Sequence, residues 1–329
     1  MFLIISLIIF ILLICAFYSK EDFGIANSTF LNILKENNYL VDRVNERIIS
    51  NNGYKIIPYN NNFNTYESSS NCSNKLNTAI IMSKNNIPVP KFKYIKKTDD
   101  INKFFSNFDL NYPVVIKPLK ESNGIGIITD NYNFNTLKLN CNISLTKYEE
   151  VMIEEQAYGD AYRVLVFNYK VIDIAGRKKP FAIGNGKTKL SELIQIKNDE
   201  LKLKNKRYHI EPNLQYIKKQ GYNLNDIVKN NDIVYLTNVI NRSNGCDIIK
   251  VDLSLVPKVN LDMFINSAKV LKILCTGIDF ISTDIYTPYY ENNSKILELN
   301  SLPDISIHIK NEKIKNEFYN NIMNQLDKI

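Results

Sequence analysis

Three side chains near the carboxyl end carry oxygen at spacings suited to a hard cation: Asp284, Glu298 and Asn300. Read with period two, the run Ile296-Leu297-Glu298-Leu299-Asn300 projects Glu298 and Asn300 from one face of a strand and packs Leu297 and Leu299 behind. Asp284 sits on the apolar run before it. Oxygen ligands on two neighbouring strands suit Mg²⁺, which is held by one or two carboxylates and completes its shell with waters and nucleotide phosphates. A solvated strand edge is the competing reading, and for Asp284 alone it is the better one.

A second cluster could handle those phosphates. Tyr112-Pro113-Val114-Val115-Ile116-Lys117-Pro118 reads as an apolar strand that delivers one lysine and ends at Pro118. The loop Lys120-Glu121-Ser122-Asn123-Gly124-Ile125-Gly126-Ile127 follows at once. Lysine supplies a point charge, and glycines let backbone N–H groups approach an anion without a Cβ in the way. Gly-x-Gly alone equally suits a plain hairpin turn, and neither a Walker loop nor a Rossmann fingerprint is present. A third segment, Val151 to Gly159, predicts a strand and a short linker. A second strand carrying Arg163 follows over 162–167, then a tight pair at Tyr169-Lys170 and a strand running to Arg177. An Asn185-Gly186 turn and an amphipathic helix from about Leu190 complete the region.

In order and spacing these motifs resemble the ATP-grasp superfamily over roughly residues 70–310. Within it they are similar to the ligase domain of cyanophycin synthetase and the fused bacterial glutathione synthetases, and more distantly to D-alanine–D-alanine ligase. The resemblance is carried by Asn74-Lys75, Val115 to Pro118, Gly124 and Gly126, Glu154 with Gly159, and Tyr162 to Val166. Gly184 to Lys187, Asn241 to Asp247, Gly277-Ile278-Asp279 leading to Asp284, and Glu298-Leu299-Asn300 with Pro303 extend it. It implies an α/β (α+β) ATP-grasp fold whose two subdomains clamp ATP. By the same resemblance, Lys75 and Lys117 contact the ATP phosphates, and Lys120, Ser122, Gly124 and Gly126 belong to a lid over them. Glu154, Glu155 and Ala157 lie at the hinge that reads the adenine edge. Arg163 and Arg177 face the phosphates or an acyl-phosphate, with Lys117 and Arg177 as the catalytic cations. Asp284, Glu298 and Asn300 hold two Mg²⁺ ions, or Mn²⁺, with Glu298 bridging.

The departures are Ala161, where relatives carry a ribose-binding carboxylate that Asp160 would replace, and Pro303-Asp304 in place of Pro-Gly. Ser243-Asn244-Gly245-Cys246 stands for the usual Ser-Thr-Gly-Gly. The implied activity is ATP-dependent ligation of a carboxylate to an amine through an acyl-phosphate, on an amino acid or small peptide. A non-catalytic membrane-anchored nucleotide-binding protein and an ATP-grasp kinase are the alternatives. Of the two histidines, His209 lies in a charged stretch that reads as surface. His308 follows Pro303 by five residues, where the resemblance implies a histidine near the substrate; packing or capping is the alternative.

The 329 residues, 45% hydrophobic and 23% charged, are ample for a real core. A net charge of +7 in short runs reads as solvated faces and not as a nucleic-acid surface. Five cysteines without metal spacing argue against a zinc site or a disulfide framework. Met1 to Tyr18 is almost wholly apolar and is followed by Lys20, Lys35 and Arg43, which predicts an uncleaved single-pass anchor with the catalytic part on the cytosolic side. The expected organisation is an anchor over 1–20, a leading region over 21–70 with a helix from Ser28 to Asn51, and an ATP-grasp domain over 71–310. That domain divides into a lid-bearing part, 71–155, and a metal-binding part, 156–310, and a helix over 311–329 closes the chain. A homodimer is compatible with all of this.

Overall fold

The computed structural model describes residues 64–121, 124–204, 209–237 and 245–301, three short strands before them and a few positions after. The apolar run expected to anchor the chain lies outside the described residues. Among those described, no helix is long and apolar enough to cross a membrane. The leading strands β1 (Leu40–Asp42), β2 (Arg47–Ile49) and β3 (Ile56–Pro58) form an antiparallel sheet in that order. They replace the second half of the helix expected from Ser28 to Asn51. Val41, Ile48, Ile49, Ile56 and Ile57 are β-branched, and Asn52-Gly53 between β2 and β3 is a hairpin signal, which together outweigh the helical pattern.

Two antiparallel sheets follow. The first has the order β4 (Phe92–Lys96), β7 (Glu150–Glu155), β5 (Val114–Pro118), β6 (Ile128–Asn131). Helices α3 (Ile101–Ser106) and α4 (Phe134–Lys147) contribute to a core of Phe105, Leu137 and Leu145 with Val114, Ile116, Val151 and Ile153 of the sheet. Alternation along β5 then sends Val115 and Lys117 to the other face, where Met152 and Glu154 of β7 also lie.

The second sheet has the order β12 (Asp247–Lys250), β9 (Lys170–Lys178), β8 (Asp160–Phe167), β13 (Cys275–Ser282), β14 (Lys295–Asn300). Helices α1 (Tyr66–Ser73), α2 (Lys75–Lys84) and α7 (Lys258–Val270) share a core with one face of it. Cys72, Met82 and Phe264 meet Val164, Val166, Ile174, Ile278, Phe280 and Leu299 there. The rings of Phe264 and Phe280 pack edge to face at 4.9 Å. A bulge interrupts the β13–β14 ladder: Asp279 opposes Glu298, but Phe280 opposes Ile296. Leu297 is the extra residue. Ile296 and Leu299 are therefore the buried pair, and Leu297, expected to pack behind the site, is only half-buried.

Residues 181–237 form a smaller unit built on the antiparallel partners β10 (Phe181–Ile183) and β11 (Ile233–Tyr235). Helices α5 (Leu190–Lys204) and α6 (Leu214–Lys219) pack with them around Leu190, Ile194, Ile217 and Val234.

The buried Asn64 secures the end of the second sheet. Its Nδ2 donates to the carbonyls of Cys275 (2.7 Å) and Ser301 (3.0 Å), and its Oδ1 accepts from the N–H groups of Leu274 (2.9 Å) and Cys275 (3.0 Å). Asn64→Ala leaves several of these backbone groups unpaired, and a loss of about 2–3 kcal/mol in urea unfolding is expected.

Candidate active site

Register and alternation together decide which side chains meet. Arg163 of β8 opposes Ala175 of β9 and Asp279 of β13, and Asp279 opposes Glu298 of β14. Residues two apart share a face, so Asp173 and Arg177, Arg163, Gly277 and Asp279, and Glu298 and Asn300 all project from the side opposite the apolar core. Arg163 Nε stands 3.2 Å and Arg177 Nη1 3.4 Å from Asp279 Oδ1. Asn300 Nδ2 donates to Asp279 Oδ2 and to Glu298 Oε1, each at 3.3 Å. Arg163 Nη1 reaches the Gly277 carbonyl at 3.2 Å. A Cβ on Gly277 would lie 3.0 Å from the Arg163 side chain and 2.9 Å from Pro303, so glycine here makes room for the guanidinium.

The ionisable groups on this face are shifted in different directions. Burial pushes the Asp279 carboxyl up against the pull of Arg163 and Arg177. Burial opposes ionisation of Glu298 as well, but Lys75, the hydrogen bond to Asp279, Lys117 and Arg163 outweigh it and hold that carboxyl below the usual range. Burial and the neighbouring Arg163 lower Arg177 from its ordinary value.

Across the cleft, Lys117 forms a buried ion pair with Glu154 on the sheet face they share. Lys75, at the start of α2, links the two halves: its Nζ donates to the Glu121 carbonyl at 2.5 Å and lies 3.9 Å from Glu298 Oε2. Asn74 caps that helix by accepting from the N–H groups of Leu76 and Asn77. In the loop after β5, Lys120 is exposed, and Gly124 and Gly126 take positive φ of 78° and 72°. A Cβ at Gly126 would meet the Tyr148 hydroxyl at 2.5 Å, so only glycine closes the loop against that ring. Ser122 lies outside the described residues, and Ala157 is half-buried in the linker from β7 to β8.

Three expected site residues are elsewhere. Asp284 lies beyond β13, where its Oδ1 accepts from the Tyr286 N–H (3.0 Å) and its Oδ2 from the Thr287 hydroxyl (2.7 Å). It is a turn residue. Asp279, five residues earlier in the chain, opposes Glu298 in its place. Asp160 opposes Ser282 and projects to the same face as Tyr162, away from Arg163. Burial, with Asp160 and then Asp284 nearby, pushes the Tyr162 phenol up to about 12, which places both carboxylates around that ring. Glu155 alternates away from Glu154: its Oε1 accepts from the Asn111 N–H and side-chain amide, both at 2.9 Å. Residue order alone points past Asp279, because Gly277-Ile278-Asp279 reads as a lead-in to Asp284. The signal was there, since Asp279 is the one charge within the apolar run Cys275 to Ser282.

His308 belongs to the polar face. Its Nδ1 lies 2.8 Å from Asp173 Oδ2, and both residues are buried. Burial lowers the imidazole from its ordinary value, with Arg163 and Arg177 adding to the effect and Asp173 opposing it. The unfolded chain therefore binds this proton more readily than the folded one. The stability His308 contributes is present above about pH 6.5 and falls as pH drops below it. Urea unfolding from pH 7.5 to 5 is expected to show a decline that His308→Gln flattens.

Among the described residues no cluster holds three or more His, Cys, Asp or Glu side chains able to bind a metal. The donor set on the polar face is two carboxylates and one carboxamide. This fits magnesium, which needs few protein ligands beside a phosphate. Asp279 Oδ1, buried between the arginines without a hydrogen bond of good geometry, is the carboxylate oxygen an ion would share with them.

Residues 72–210 match the RimK-like ATP-grasp domain family. The glutathione biosynthesis bifunctional protein GshAB of Clostridium perfringens is 33% identical over 244 residues, 71% of this chain and 31% of that protein. A cyanophycin synthetase of Synechocystis is 28% identical over 244 residues, 71% of this chain and 28% of that protein. The chain thus spans less than a third of the length of either relative. A bifunctional glutathione synthetase from Pasteurella multocida superposes with a TM-score of 0.58 at 21% identity, over 87% of this chain and 42% of that chain. Residues 72–210 thus carry the match to a RimK-like ATP-grasp domain, and the two sheets agree with the fold of the superposed structure.

Proposed function

We propose that the chain is an ATP-dependent carboxylate–amine ligase, forming an amide or peptide bond through an acyl-phosphate. The observation that carries this is the juxtaposition of Asp279, Glu298 and Asn300 with Arg163 and Arg177 on one sheet face, with Lys75 bridging to the opposite loop. The similarity to GshAB and cyanophycin synthetase supports it.

The acid substrate's carboxylate attacks the γ-phosphorus of ATP, and ADP leaves. Phosphoryl transfer requires positioning and cancellation of charge more than covalent help. Lys117 would meet the phosphates from the first sheet's side, Arg163 and Arg177 from the second, and Lys75 from the helix start that links the two. Asp279, Glu298 and Asn300 would hold Mg²⁺ or Mn²⁺, which when bound cancels negative charge on the transferring group. The loop carrying Gly124 and Gly126 would exclude water from the acyl-phosphate. An amine then attacks the acyl carbon and phosphate departs. Substrates of the amino-acid or small-peptide class fit this chemistry.

The test is a screen of amino acids and dipeptides for amine-dependent release of ADP and phosphate, with mass spectrometry of the product. A phosphorylated acid with no amide would turn the proposal into a kinase. ATP binding with no turnover on any pair would leave a nucleotide-binding protein. The membrane anchor over residues 1–20 is proposed on its apolar sequence alone, and protease protection of a tagged chain in sealed membranes tests it.

A further inference from the structure

We propose that His308 is the base that takes a proton from the attacking amine, with Asp173 holding its ring; this rests on the ligase reading above. Asp173 shares the polar face with Arg177 and stands one diagonal step from Arg163, because Leu165 opposes Asp173 while Arg163 opposes Ala175. The imidazole Nδ1 is 2.8 Å from Asp173 Oδ2. The second ring nitrogen, Nε2, is buried and has no hydrogen-bond partner. A buried polar atom left unpaired is uncommon in folded proteins and asks for a reason.

The pairing supplies one. With the Nδ1–H donated to the Asp173 carboxylate, the ring is held in the tautomer whose Nε2 carries a free lone pair. The serine hydrolases use a carboxylate to fix a histidine base in the same way. The groups acting on the ring are Asp173, Arg163 and Arg177, and burial outweighs Asp173 to keep it neutral and ready to accept. The other charged groups on this face cannot do so. Arg163 and Arg177 are cations, and Asp279 and Glu298 are committed to each other, to Asn300 and to the basic side chains.

An amine substrate arrives at neutral pH as an ammonium group with no lone pair. One proton passes to His308 Nε2. The freed pair forms the C–N bond at the acyl carbon as the C–O bond to phosphate breaks. The second N–H proton leaves on the released phosphate, and His308 returns its own to solvent. The amide keeps one hydrogen, and the step balances.

The test compares two nucleophiles at saturating ATP and acid substrate: the amino-acid amine, and hydroxylamine, which is uncharged at neutral pH and needs no base. His308→Gln and Asp173→Asn are each expected to lower amide formation by about 10²–10⁴-fold. Hydroxamate formation should stay within about threefold of wild type, because phosphoryl transfer does not use the base. Asp173→Asn preserves side-chain shape but presents a donor to Nδ1, so it tests the tautomer in a chain that keeps its packing. Equal loss of both products would make the pair structural and overturn the proposal. Undiminished amide formation would overturn it too. A wild-type chain that makes amide without forming hydroxamate would reject the base assignment, whereas one that makes neither removes the ligase reading itself.

Discussion

Glu298→Ala is expected to lower amine-dependent ADP release by about 10³-fold, the scale of several kcal/mol of transition-state charge stabilisation. Glu298 is the side chain on which both halves converge. It opposes Asp279 in the ladder, accepts from Asn300 and lies near Lys75 from the other side. Removing it would take away a proposed ligand for the ion and leave Lys75 without its acidic partner. Asp279→Asn should fall by a comparable factor. Asp284→Asn is the control: it weakens a turn at a cost of about 1 kcal/mol in stability and changes turnover by less than about threefold. Steady-state ADP release by the three variants decides the matter. If Asp284→Asn proves as damaging as Glu298→Ala, the assignment of the ion site is wrong.

Glu154→Ala should be the most destabilising single change in the first sheet, by about 3–5 kcal/mol in denaturant unfolding. The loss comes from what it leaves behind. Lys117 is 8% exposed and Glu154 3%, so the lysine would be left without its partner in a site with almost no solvent. Replacing the pair together, with Lys117→Met and Glu154→Leu, removes the unpaired charge and should recover most of that stability. The same double variant should fail to turn over ATP, because the lysine facing the phosphates is gone. A single variant within about 1 kcal/mol of wild type would mean that the pair behaves like a surface ion pair and that the site is wetter than its burial implies.

Much of the site is legible from residue order alone. Lys117 at the end of an apolar strand, the two glycines after it, Arg163 and Arg177 on successive strands, and Glu298 with Asn300 two apart all take the positions that alternation assigns them. Asp284 carries the right functional group but falls in the turn beyond β13. Asp160 fails by parity, since counting in twos along β8 puts it on the face of Tyr162. Glu155 fails the same way one residue after Glu154. The bulge is harder to foresee, because nothing in Lys295 to Asn300 marks Leu297 as the residue without an opposite number. Only the resemblance leans His308 toward the site. Its partner Asp173 lies 135 positions earlier, and only the folded sheet brings them together.

The extra leucine in β14 lets one strand serve two masters that are out of step. Upstream of it, side chains keep time with the greasy layer under α7; downstream, they keep time with the acidic pair. Excising Leu297 would therefore restore plain alternation, with Ile296 inward and Glu298 and Asn300 outward. Ironing the bulge flat with Leu297 still in the strand is what would force a choice, turning either Ile296 outward or Glu298 and Asn300 inward.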